Sequence, residues 1–189
     1  AADKLKLHFF SEFQGEPKLR PTQKAVDKAR AAGADAVLGI GGGSALDMAK
    51  IVKTCLNGGR DVHHYLMQAN PLPDSRNVLC AVIPTTAGTG SEASGTNIIT
   101  LENGNKGWVW GPETKPDLVI LDPSLTVSLP PDLTAWTGMD ACVHAFESAT
   151  NQNTHPGVQL YAHEALRICR TSLPLAVQVP ESLLVRRDM

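Results

Sequence analysis

The stretch that most constrains the fold of this chain joins a short apolar run to a helical pattern through three glycines. Residues 36–40 have the length and composition of a buried strand, and residues 41–43 are all glycine. From Ser44, apolar side chains recur at helical spacing as far as Gly58 and Gly59, which predicts a helix that starts directly after the glycines. A strand, a glycine turn and a helix in succession are typical of a parallel α/β sheet.

The same alternation of short apolar runs and helical patterns continues along the chain. Further elements are predicted as buried strands at 78–83 and 117–121, a helix at 22–32, and a β-hairpin with arms at 96–101 and 107–111. Residues 60–77 are predicted as loop or short irregular pieces, and the first ten residues are compatible with one more strand. The pattern therefore predicts an α/β fold class.

The helix after Ser44 is predicted to bury one face. Its apolar positions are Ala45, Met48, Ala49, Val52, Cys55 and Leu56. Asp47 stands three residues after Ser44, a spacing that predicts an acidic capping box at the helix start.

The strand patterns stop after Pro130 and Pro131. Two helices are predicted beyond them, at 133–150 and 158–171. The composition shift near 123–131 is the candidate domain boundary, with an α/β domain over 1–125 and the beginning of a helical domain over 126–189.

Composition excludes several classes of protein. The 189 residues carry a formal net charge of −2 and only 5% aromatic residues, which argues against nucleic-acid binding. No apolar run reaches the roughly 20 residues that cross a bilayer, and the charged first residues lack the apolar core of a signal peptide. The four cysteines have neither zinc-ribbon nor C-x-x-C spacing. A cytoplasmic protein is therefore the default expectation.

Two loops that follow predicted strands have the composition of nucleotide-binding loops. Glycines 41–43 before a helix start would let backbone N–H groups approach a phosphate, although the spacing is neither a Rossmann fingerprint nor a Walker A loop. Residues 84–92 are rich in hydroxyls and glycine at the end of the next strand, where open α/β sheets bind ligands. Ligand-free turns remain the alternative for both.

Asp140 and His144 are one helical turn apart and can share a metal ion or form a simple ion pair. They lie at the edge of an apolar stripe that is predicted to be buried: Trp136, Met139, Val143 and Phe146. Two donors do not complete a catalytic metal site, which usually takes three or four protein ligands. Cys142 and Cys169 are predicted as helix packing residues.

Four segments in order resemble the iron-containing (group III) alcohol dehydrogenase family: residues 41–50, 83–92, 122–125 and 137–147. The resemblance implies a Rossmann-like dinucleotide-binding domain over 1–125, followed by the start of an all-helical metal-binding domain over 126–189. The implied cofactors are NAD or NADP and a divalent metal, Fe²⁺ first and Zn²⁺ as the alternative. Asp140 and His144 are the implied metal ligands. The implied nucleotide contacts are Gly42, Gly43, Ser44, Asp47, Thr85, Thr86, Thr89, Ser91, Lys106 and Leu125.

The resemblance implies hydride transfer between NAD(P) and a small alcohol, aldehyde or ketone, with the metal polarising the substrate oxygen. No residue is assigned as general base. Dimers are common in the family, so a homodimer is an assembly implied by analogy.

The chain departs from the family in length. Family members are much longer, so we expect the first strand–helix–strand unit to be missing and two further histidine ligands to lie beyond residue 189. The sequence leaves two alternatives open. One is an inactive fragment with at most weak nucleotide binding, and the other is a relative of glycerol dehydrogenase or dehydroquinate synthase.

Overall fold

The first two thirds of the chain contain strands that alternate with helices, as the sequence pattern predicts. The computed structural model describes residues 5–189. Its helices are α1 (Leu19–Ala32), α2 (Gly43–Gly58), α3 (Val62–Tyr65), α4 (Pro131–Thr150), α5 (Pro156–Gln178) and α6 (Leu183–Asp188). Its strands are β1 (Ala36–Gly41), β2 (Leu79–Pro84), β3 (Thr96–Thr100), β4 (Lys106–Trp110) and β5 (Leu118–Val119).

The strands form two sheets. The three-stranded sheet has the order β1-β2-β5, and β5 runs parallel to β2 with Ala81 opposite Leu118. The other sheet is the antiparallel hairpin β3-β4, in which Thr96 faces Trp110. The predicted α/β class and the predicted hairpin are both confirmed.

The described residues divide into two compact units that interlace along the chain. The first unit holds residues 5–39, 44–82 and 91–119, and the second holds residues 40–43, 83–90 and 120–189. The second unit therefore contains the segments that end β1 and β2 together with the helical region. The division at 125–126 stays a prediction.

Helix α2 is the centre of the first unit and is buried on all sides. Residues 46–55 are buried without interruption. One side of the helix, including Met48 and Ile51, packs into a core with Val26 and Ile99 of α1 and β3. Its other side, with Leu46 and Ala49, packs on Cys80 and Val82 of β2. The prediction of a single buried face is wrong because α2 has neighbours on both sides.

The strands are less buried than their apolar composition predicts. Leu38 of β1 is 57% exposed, and Leu79 and Leu118 are similarly exposed on β2 and β5. Successive side chains of a strand point to opposite faces, and α2 covers only one of them. The predicted strand 117–121 is also too long, since pairing is limited to Leu118–Val119.

Other boundaries differ in detail from the predictions. Helix α1 starts at Leu19, three residues before the predicted start. It ends at Ala32 and is capped by Gly33, whose φ of 64° is left-handed. Helix α5 continues through Pro174 to Gln178. The region predicted as irregular contains the short helix α3. Residues 5–10 form no strand, and the rest of that predicted strand lies outside the described residues.

In the second unit, helices α4 and α5 pack antiparallel to each other, and Gly138 of α4 lies at their contact. A Cβ atom on Gly138 would lie 2.2 Å from Cδ1 of Leu173, so a larger residue there requires the Leu173 side chain to move. The buried residues of α4 are therefore Thr134, Gly138 and Ala145.

The predicted buried stripe of α4 is on the surface instead. Trp136 is 67% exposed, and Met139, Val143 and Phe146 are also exposed. The small residues of α4, rather than its large ones, face α5, because they permit the closer packing. Cys169 is buried as predicted and Cys142 is half-buried beside it. Among residues 5–189, no helix is both long and apolar enough to cross a membrane.

We predict that Gly138→Ala destabilises the helix pair by about 1–3 kcal/mol, because the new methyl group overlaps Leu173. In an uncrowded helix the same change would stabilise by roughly 0.5–1 kcal/mol. Urea unfolding of Gly138→Ala, Leu173→Ala and the double variant gives the interaction energy. The double variant should be clearly more stable than the sum of the single effects, and simple additivity would contradict the overlap.

Cys55 generates a prediction on pH. Burial raises the pKa of its thiol from 9.0 to about 12. Between these values the unfolded chain has lost the proton and the folded chain keeps it, so the free energy of unfolding falls as pH rises, by about 1.4 kcal/mol per unit. The stability difference between wild type and Cys55→Ala isolates this group. It should shrink from pH 9 upward, and a difference independent of pH would contradict the burial effect.

Candidate functional site

The predicted glycine loop and the predicted hydroxyl loop lie side by side in the second unit. The backbone N–H of Thr85 donates to the carbonyl of Gly41 over 2.9 Å, which joins the ends of β2 and β1. A Cβ atom on Gly43 would lie 2.8 Å from Oγ1 of Thr89, and one on Gly42 would lie 3.4 Å from Cγ2 of Thr86. The structure thus brings both loops together, as expected at the ends of neighbouring strands.

This arrangement has the features of an anion-binding loop. Helix α2 begins at Gly43, so the first N–H groups of a 16-residue helix are found at the loop. Oγ1 of Thr86 is buried and has no hydrogen-bond partner among residues 5–189. A buried hydroxyl without a partner is unfavourable, and a polar ligand at this loop would satisfy it. The residues present therefore fit the phosphates and ribose of a dinucleotide.

Asp47 does not cap its own helix. Its Oδ1 accepts a hydrogen bond from Oγ of Ser91, and its Oδ2 accepts one from the backbone N–H of Ile98 over 3.0 Å. The capping-box prediction is wrong because one carboxylate oxygen binds Ser91 of the hydroxyl loop and the other binds Ile98 of β3. Asp47 and Ser91, both in the first unit, are thus hydrogen-bonded to each other.

Lys50 completes this network from one turn further along α2. The residue is 0% exposed, and its Nζ donates to the carbonyls of Ser91 at 2.7 Å, Ser94 at 3.1 Å and Thr96 at 3.3 Å. Oδ1 of Asp47 lies 3.2 Å away. Only the ammonium form of lysine has three donors to match these acceptors. Burial lowers the pKa of Lys50, and the carboxylate of Asp47 opposes that shift.

Lys53 repeats the arrangement on the next segment. Its Nζ donates to the carbonyls of Glu113 at 3.1 Å and Lys115 at 2.8 Å, and lies 3.4 Å from the carboxylate of Asp117. Asp117 in turn accepts from the backbone N–H of Cys80. The sequence analysis assigned no role to Lys50 or Lys53. The signal that could have found them is that both lysines stand among the apolar residues of α2.

Three further predicted nucleotide contacts are Lys106, Leu125 and Ser44. Lys106 is in the first unit, where it forms an ion pair with Glu16 and lies 3.4 Å from Oγ1 of Thr100. This pairing lowers the pKa of Glu16. Leu125 is in the second unit, partly exposed in a 3₁₀ turn, and Ser44 is half-buried at the start of α2. Their role in binding stays a prediction.

Asp140 and His144 form the predicted pair on α4. Oδ1 of Asp140 lies 3.7 Å from Nε2 of His144, and both side chains are about half exposed. A carboxylate oxygen and an imidazole nitrogen are donors that suit Fe²⁺ or Zn²⁺. Within residues 5–189, no group of three or more His, Cys, Asp or Glu side chains is arranged to hold a metal. The pair therefore fits one half of a metal site.

The remaining histidines that could bind metal have other contacts. Nδ1 of His155 accepts the backbone N–H of Gly157 and caps α5. Glu164, next to His163, forms a bidentate ion pair with Arg167. His155 is therefore a helix cap, and the side chain of His163 is exposed.

Comparison with known proteins identifies one family. The family model described as iron-containing alcohol dehydrogenase matches residues 1–123. Long-chain-alcohol dehydrogenase 1 of Geobacillus thermodenitrificans is 37% identical over 184 residues, or 97% of this chain and 46% of that protein. Sulfoacetaldehyde reductase of Bilophila wadsworthia is 42% identical over 140 residues, or 74% of this chain and 36% of that protein.

Solved structures agree with these matches. The crystal structure of sulfoacetaldehyde reductase from Bifidobacterium kashiwanohense in complex with NAD⁺ matches with a TM-score of 0.89 and 29% identity. The match covers 95% of this chain and 48% of that one. The chain thus spans about half the length of the relatives it matches.

We predict that Lys50→Met destabilises the protein by about 3–5 kcal/mol, because three carbonyls and the carboxylate of Asp47 lose their buried partner. Lys24→Met, at an exposed position of α1, is the matched control and should change stability by less than about 0.5 kcal/mol. Denaturant unfolding measures both. Equal stability of the two variants would show that the Lys50 network does not hold the segment 91–96.

Proposed function

This chain belongs to the iron-containing alcohol dehydrogenase family, and on that premise we propose that it supplies the nucleotide-binding half and the first two metal ligands of an NAD(P)-dependent alcohol dehydrogenase. The observation that carries the proposal is the content of the second unit. That one compact unit contains the glycine loop, residues 83–90 of the hydroxyl loop and the pair Asp140 and His144. The relatives named above are alcohol and aldehyde oxidoreductases by name, and one was solved with NAD⁺.

The proposed roles follow from the chemistry of each group. The N–H groups of Gly42 and Gly43 at the start of α2 bind the pyrophosphate. The hydroxyls of Thr85, Thr86 and Thr89 bind the nicotinamide side. Two further proposed contacts, Lys106 and Leu125, are assigned to the nicotinamide ribose and its surroundings.

Other residues shape the loops or the reaction site. The network of Lys50 supports Asp47 and Ser91, which fits a role in holding the loop as well as in binding. Asp140 and His144 provide two of the ligands of the metal, which usually takes three or four. The exposed apolar stripe beside them on α4, which includes Trp136 and Phe146, excludes water from the reacting atoms.

When bound, the nicotinamide exchanges a hydride with the substrate carbon and the divalent metal supplies Lewis acidity. The substrate class is a small alcohol and its aldehyde or ketone. Fe²⁺ is the first choice of metal and Zn²⁺ the second. The nucleotide is NAD or NADP. A homodimeric assembly and a cytoplasmic location stay predictions.

The test uses the full-length gene product. Equilibrium titration should show that Asp140→Asn and His144→Gln weaken Zn²⁺ or Fe²⁺ binding by at least about tenfold, while NAD(P)⁺ affinity is largely kept. Gly43→Ala should do the reverse, because its Cβ would overlap Thr89. Glu164→Gln, an exposed acid paired with Arg167, is the control and should leave both affinities unchanged.

Turnover then separates the alternatives. Formation of NADH or NADPH is measured with a long-chain primary alcohol and with glycerol as substrates. Oxidation of NADH is measured with sulfoacetaldehyde, and conversion of a sugar-acid phosphate to product is measured separately. Turnover limited to simple alcohols or sulfoacetaldehyde supports the proposal. Turnover of glycerol or the sugar-acid phosphate favours the related enzymes, and nucleotide binding without any turnover favours an inactive protein.

A further inference from the structure

The hydroxyl loop approaches helix α4 closely at Gly88. A Cβ atom on Gly88 would lie 2.1 Å from the carbonyl oxygen of Thr137, 2.7 Å from its carbonyl carbon and 2.9 Å from its Cβ. Gly88 is not among the glycines with positive φ, so space rather than backbone conformation requires glycine here. The contact is therefore between the backbone of the loop and the backbone of the helix, with no flexible side chain in between.

The contact connects the two halves of the proposed site. Gly88 lies between Thr86 and Thr89, which pack against the glycine loop. Thr137 precedes Asp140 by three residues and His144 by seven, and positions i, i+3 and i+7 share one face of a helix. The loop thus meets α4 on the face that carries the metal pair, one turn before Asp140.

We propose that the contact between Gly88 and Thr137 positions the nucleotide loop against the metal-binding helix and couples the two binding events, an inference that rests on the proposed function. Close-packed backbones transmit small displacements because neither side can yield by changing a rotamer. A ligand that orders the loop therefore orders the start of the metal-binding turn, and a metal that orders the helix orders the loop. Each ligand raises the affinity for the other by the same factor.

The first test measures this coupling in the full-length gene product. The Kd of NAD⁺ is determined with and without saturating Zn²⁺, and the Kd of Zn²⁺ with and without saturating NAD⁺. We expect both ratios to be on the order of tenfold in the wild type and equal to each other. In Gly88→Ala the ratios should fall to about one, while each ligand alone still binds.

The matched control is Gly90→Ala in the same loop. Gly90 has a φ of 62°, and its Cβ would meet no atom within 4 Å, so this variant is strained but does not press on α4. It should keep the coupling that Gly88→Ala loses. Loss of coupling in both variants would overturn the assignment to the Thr137 contact, because loop strain alone would then explain it.

A second measurement needs no variant of the loop and covers the case in which Gly88→Ala does not fold. In the wild type, Zn²⁺ without nucleotide should slow amide hydrogen exchange in residues 85–90, and in Asp140→Asn it should not. If both ligands bind but with independent affinities and unchanged exchange, the coupling is wrong and the proposed function stands. If neither ligand binds the wild type, the proposed function and the coupling fail together.

Discussion

The buried ammonium group of Lys50 is the interaction on which the first unit depends. Removing an ammonium from water costs several kcal/mol even after relaxation, and only close, well-directed oxygen atoms offset that cost. Three carbonyls and a carboxylate do so here, and all three carbonyls belong to the segment 91–96. The ammonium group therefore holds the turn before β3 and the first residue of β3 in one conformation, because another conformation would remove its partners. Lys53 does the same for residues 113–117.

Close approaches at glycine play the corresponding part in the second unit. Gly43 meets the side chain of Thr89, Gly138 meets the side chain of Leu173, and Gly88 meets the backbone of Thr137. A Cβ atom at any of these glycines would overlap its neighbour unless that neighbour moved. These contacts join the glycine loop to the hydroxyl loop, the hydroxyl loop to α4, and α4 to α5. The position of the candidate site thus depends on glycine at three places in the second unit, whereas the first unit depends on the buried charge of Lys50.

The surface of α4 agrees with a chain that spans half of its relatives. Its large apolar side chains are exposed next to Asp140 and His144, and the pair has no third donor within residues 5–189. Asp140 and His144 provide two of the donors that a metal site needs, and the apolar stripe lies on the same helix. Under the proposed function both belong to one site, in which the pair binds the metal and the apolar side chains lie beside the reacting atoms.

The sequence by itself determined the class of fold, the hairpin, the two long helices and the candidate loops, because these depend on local periodicity and on turn residues. It also determined the helical spacing of Asp140 and His144. Tertiary structure alone decided which faces are buried. Helix α2 is enclosed because it has neighbours on both sides. The apolar stripe of α4 is exposed because α5 packs against the other face of the helix, where Gly138 lies. It also decided the roles of Asp47 and Lys50, whose partners other than each other lie more than 40 residues away along the chain. Spacing along one helix cannot reveal such partners, since packing between distant segments creates them.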